Sequence, residues 1–152
     1  MIHIKMVLLK LMDTPWYLKM VMSNTQVKSK RRLKKMTNKT LFELGTFLNA
    51  VASKCTGKLG FYVAKNIRKM NEELTEYNNS RNELIRKYGK QNGENIVIEP
   101  NSESFFKFLE EMKTYDEIET EFETIKFSSS LLEESNLNAQ EQMIMLDYFV
   151  ED

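Results

Sequence analysis

Three groups of side chains in this 152-residue chain have types and spacings that bear on chemistry. Glu117, Glu119, Glu121 and Glu123 recur at every second position of "EIETEFETIKF". On a strand all four would emerge on one face, where carboxylates can hold a hard cation such as Ca2+ or Mg2+, or guard a sheet edge against aggregation. Such a cation takes oxygen ligands from several directions, which one flat row does not supply. No metal or cofactor is therefore expected, and the four glutamates stand as candidate partner-binding residues. Arg81 interrupts an otherwise apolar helical seam. Either its aliphatic stem covers the core while the guanidinium reaches water, or it engages a protein partner. Lys30, Arg31, Arg32, Lys34 and Lys35 belong to "KSKRRLKK", which reads as a solvated charge run or as a nucleic-acid patch. There is a third reading: Lys-Arg-Arg can be written in purine codons, and a purine-rich stretch shortly before an ATG is where a bacterial ribosome-binding site sits. On that reading Met36 is the native start and residues 1–35 are a translated leader.

The parts that most enzymes use are scarce. His3 is the only histidine and lies in the leader, which leaves residues 36–152 without the commonest general base or metal ligand. Cys55 is the only cysteine; alone it makes neither a disulfide nor a thiolate zinc site, and it suits a reducing compartment. "SKCTGKLG" lacks the GxxxxGK[ST] spacing of a phosphate-binding loop and follows a helical stretch where a strand is required. Asp116 and the glutamates could form an acid/base pair, but nothing in their spacing sets them apart from surface carboxylates. The expectation is a protein that is not an enzyme.

Charge divides the chain. It is neutral overall, with 22 basic and 22 acidic residues, yet residues 1–35 carry nine Lys or Arg against Asp13 alone. Residues 100–152 hold 14 acidic and three basic residues, so nucleic acid is an unsuitable partner for that third. The early apolar run "MVLL" is broken by Lys10, Asp13 and Pro15, too short for a signal peptide or a membrane span. With 41% hydrophobic residues and this length, one domain over residues 36–152 can bury roughly two thirds of its unfolded surface.

These residues must be positioned by a few elements. "TLFE" reads as a capping box, predicting a helix from Thr40 with Leu41, Leu44, Leu48 and Val51 inward, closed by "CTGKLG". Val63, Ile67, Met70, Leu74, Tyr77, Arg81, Leu84 and Tyr88 alternate by four and three, predicting one long helix; left unpaired, its seam would favour a homodimer. Gly89 suits a left-handed helix end. "KQNGEN" predicts a turn and "IVIE" a strand stopped by Pro100. A helix from Ser102 should turn Phe105, Phe106, Leu109 and Met112 inward, with Phe108 widening that face. The glutamate row predicts a further strand. A last helix should be capped by Asn138 and Glu141, with Met143, Leu146 and Val150 inward and Phe149 broadening the face. The expected class is α+β and mainly helical: a helical hairpin with one long helix, a short two-stranded β element and C-terminal helices.

In their order and spacing, "RNELIRKYGKQNGENIVIEP" and "FFKFLEEMKTYDEIETEFETIKFSSSLLEESNLNAQEQMIMLDYFVED" resemble small proteins of unknown function encoded by tailed bacteriophages and prophages of Gram-positive bacteria. The resemblance spans Thr37 to Asp152 and leaves the leader outside. It departs at "SKCTGKLGFYVAK", where the family pattern is richer in arginine. It implies a phage origin, a compact helical fold and residence in the host cytoplasm or the virion, and it supplies no catalytic residues. A protein that binds a phage structural or host protein, as in tail or virion assembly, is the first functional expectation. The alternative is a host-directed effector whose acidic strand imitates nucleic-acid phosphate and inhibits a bacterial defence or nucleic-acid enzyme.

Overall fold

The computed structural model describes residues 36–152. They form the mainly helical α+β arrangement that the periodicity predicts. The first element, β1 (Met36–Thr37), pairs antiparallel with β4 (Glu119–Thr120), Met36 opposite Thr120. That pairing holds Thr37 extended, at φ −81° and ψ 160°, so its hydroxyl accepts the Thr40 N–H at 3.2 Å and caps α1 (Asn38–Val51). The helix thus starts upstream of the expected Thr40 box, because the strand places a cap that local pattern does not reveal. Leu41, Leu44, Phe47, Leu48 and Val51 face inward.

A 3-10 turn (Ala52–Lys54) leads into α2 (Gly57–Glu73), which packs back on α1 as the expected hairpin. The single long helix is instead two, α2 and α3 (Thr75–Tyr88), divided at Leu74 with φ −85° and ψ 5°. The Thr75 hydroxyl donates to the carbonyls of Asn71 and Glu72, and a side chain inserted into the ladder is an identified cause of helix breaks. The seam nevertheless runs on through the break. Val63, Met70, Leu74, Tyr77 and Leu84 are all buried, while Ile67 and Tyr88 are half-buried. Because α3 packs on α4 (Glu103–Asp116), and α1 packs on both α2 and α4, the seam closes within one chain and leaves no open stripe for a second copy.

Gly89 is extended, φ −84° and ψ 159°, rather than left-handed. Its need for glycine is steric: an added Cβ would lie 2.5 Å from the Ile85 carbonyl oxygen and 2.3 Å from Ile96 Cγ2. Gly89→Ala is expected to cost about 1–3 kcal/mol by overpacking, read as a lower thermal midpoint. An unchanged midpoint would show that the hairpin gives way. That hairpin joins β2 (Lys90–Asn92) to β3 (Asn95–Val97). Of its two loop residues, Gly93 has a positive φ of 64° and Glu94 does not, the II′ pattern that matches strand twist.

Two helices present other faces than their apolar spacing suggests. Helix α4 begins next to Ser102, as expected, with the Ser102 side chain as its cap, and buries Phe105, Phe108 and Met112, whereas Phe106 is 57% and Leu109 45% exposed. In α5 (Ala139–Tyr148), Asn138 and Glu141 form the expected capping box. Here Ile144, Met145, Tyr148 and Phe149 are buried, and Met143 and Leu146 are each 48% exposed. Apolar residues cover more of each helix than the core can take, and for α4 packing on α1 and α3 chooses which stripe goes in. Beyond Thr120 no strand continues: residues 121–126 pair with no other strand. Alternation persists without it, with Phe122 and Thr124 buried, Glu121 and Glu123 exposed.

Candidate functional site

Arg81 sits where α1, α3 and α4 meet. One turn before it on α3, Tyr77 donates its phenol O–H to Asp116 Oδ1 at 2.5 Å, the last residue of α4. Phe42 on α1 lies under both, its ring centroid 5.6 Å from that of Tyr77 and 4.7 Å from the Arg81 guanidinium carbon. A cation over an aromatic face is held there by the ring quadrupole. No carboxylate among the described residues comes close enough to Arg81 for an ion pair.

Burial governs the electrostatics. It pushes the Tyr77 phenol up, and the hydrogen bond to Asp116 adds to that, so the phenol stays a donor. Burial also pushes the Glu43 carboxyl up, against Lys39 and with Asp116. For Arg81 burial lowers the pKa while Tyr77 and Asp116 work the other way. The guanidinium therefore has lost part of its hydration without gaining a paired oxyanion. Chemically, this arrangement suits the recognition of a planar anion.

The glutamate row begins directly after Asp116, so the structure brings the two groups of partner-binding candidates to the same end of α4. The row is not one strand face. Glu117 caps α4, with Lys113 at 3.7 Å; only Glu119 lies in a strand; Glu121 and Glu123 follow the ladder's end. All four are exposed. Among the described residues no three acidic, cysteine or histidine side chains converge as metal ligands would, and no helix is long and apolar enough to cross a membrane. His3, Lys30, Arg31, Arg32, Lys34 and Lys35 lie outside the described residues.

Cys55 is buried, and its thiol is pushed up by that burial and then by Glu141, which keeps it protonated and a poor nucleophile. "TGKL" opens α2 along a cleft of about 280 Å³ shared with Ser130, Leu131, Glu134 and Ser135. A 3-10 turn precedes it instead of a strand, and a carboxylate stands in its wall, so the cleft is not a phosphate loop.

Three polar contacts escape sequence reading. Asn66 is fully buried on α2; its amide donates to the Ile125 carbonyl at 3.0 Å and accepts the Ile125 N–H at 2.8 Å, as a neighbouring strand would. Glu141, 3% exposed, takes Lys54 Nζ at 2.6 Å while also serving the α5 cap. Tyr77 and Asp116 are the third pair. In the seam, Asn66 follows Leu59 by seven residues and Val63 by three and precedes Met70 by four, so its spacing was a signal even though its polarity hid it.

Comparison of the chain with protein-family models, with curated proteins and with solved structures finds no match in any of the three.

Proposed function

We propose that the chain is a non-enzymatic bacteriophage protein that works by binding another protein, as in tail or virion assembly. Phage origin rests on the sequence resemblance described above. The binding role is supported by one observation in particular: two rigid helices each display an apolar i,i+3 pair to solvent, Phe106 with Leu109 on α4 and Met143 with Leu146 on α5. Apolar side chains fixed on helices in this way lose little conformational freedom on docking and gain from burial.

In the phage's host, the partner isolated with the chain would be purified and the pair reconstituted. Phe106→Asp with Leu109→Asp is expected to weaken that complex at least about tenfold, a loss of roughly 1.4 kcal/mol, while leaving the fold intact because both residues are exposed. Unchanged affinity in this variant and in Met143→Asp with Leu146→Asp would sink the reading.

The exposed Glu121 and Glu123 favour a second reading, a host-directed effector that presents carboxylates in place of phosphates. Salt-sensitive binding to a host nuclease, lost in Glu121→Gln with Glu123→Gln, together with absence from purified virions, would select it over assembly.

A further inference from the structure

We propose that Arg81 is the anchor for a carboxylate of the partner protein, gripped by the two-pronged guanidinium over the Phe42 ring. The inference rests on the protein-binding reading and names what the partner must bring.

Three observations converge. The guanidinium is half-buried and is fixed by Phe42 at 4.7 Å, so its orientation is set before binding. Its nearest carboxylate neighbour by charge, Asp116, is already engaged by the Tyr77 hydroxyl and forms no ion pair with it. Of the other described arginines, Arg68 pairs with Glu72 and Arg86 is exposed, whereas Arg81 is held over an aromatic ring without an ion pair. Arginine donors left open in a partly dehydrated, aromatic setting match a carboxylate better than a point cation would, because two parallel N–H···O bonds form at once. A centre of this kind, aromatic and arginine together, is also what dominates binding energy in protein interfaces.

Acetate is the probe. In the full chain labelled with 15N, sodium acetate is titrated against sodium chloride at matched ionic strength, following the arginine Nε–H signals. The Arg81 signal is expected to shift saturably with acetate and not with chloride, while exposed Arg68 and Arg86 respond alike to both salts. Followed through the Phe42 and Tyr77 ring signals, which the variant retains, Arg81→Lys keeps the charge and the stem and is expected to weaken acetate binding about tenfold. Arg81 moving no more than Arg68 and Arg86, or Arg81→Lys binding acetate as well as the parent chain, overturns the anchor. A partner that binds Arg81→Lys as tightly as the parent also overturns it and leaves the protein-binding reading standing. A saturable Arg81 shift in a chain that binds no protein supports the carboxylate site and overturns that reading instead.

Discussion

Asn66→Leu is expected to lower the unfolding free energy by about 3 kcal/mol, although the replacement has the same branched heavy-atom skeleton and is more apolar. Asn66 is wholly enclosed in α2 and is the partner of both backbone groups of Ile125. Leucine would fill the space and leave that N–H and C=O with nothing to bond, at about 1–3 kcal/mol for each group that water cannot reach. In urea denaturation the midpoint should fall with the slope unchanged. The Ile125 amide should also exchange with solvent faster relative to the α2 amides, since the damage begins at the strap and not in the helix. If Asn66→Leu matched the parent chain, water would have to be serving Ile125.

Phe149→Ala is the second large effect, expected at about 3–5 kcal/mol. The ring is fully buried where α5 ends. Its backbone is tied on both sides: the N–H donates to Met145 O at 2.8 Å, and the carbonyl accepts the Phe127 N–H at 2.9 Å, beside the parallel bridge of Phe127 and Val150. Truncation opens a void that these bonds prevent the chain from closing by moving. Leu146→Ala, three residues away but half in water, is the control, with a change expected within about 0.5 kcal/mol. A Phe149→Ala loss below about 1 kcal/mol would show that the site collapses freely.

What could be read in the sequence is what local chemistry decides. The Asn138 and Glu141 box forms within four residues of chain, and the structure shows it. Most of the inward face of α1 was legible from the spacing of Leu41, Leu44, Leu48 and Val51, to which the structure adds Phe47. On α4 the run of Phe105, Phe106, Phe108 and Leu109 is so wide that spacing alone admits two orientations, and contact with α1 and α3 decides between them. The same holds for Met143 to Leu146 on α5. Long-range pairs were invisible for a different reason. Tyr77 meets Asp116 across 39 positions and Asn66 meets Ile125 across 59, and no periodicity encodes a hydrogen bond between segments. Arg81 could be picked out as an anomaly in the seam, but the Phe42 ring beneath it belongs to another helix.

The ladder that joins Met36 to Thr120, with the Thr120 hydroxyl donating to the Met36 carbonyl, spans 84 residues. On the ribosome, Met36 therefore emerges long before its strand partner has been made. Its side chain, buried in the finished protein, stays uncovered until α4 has been synthesised and has delivered Thr120. Closing so long a loop is slow relative to helix formation. The first of the described residues is thus among the last to be seated, and during that interval the nascent chain carries an apolar surface for chaperones to cover.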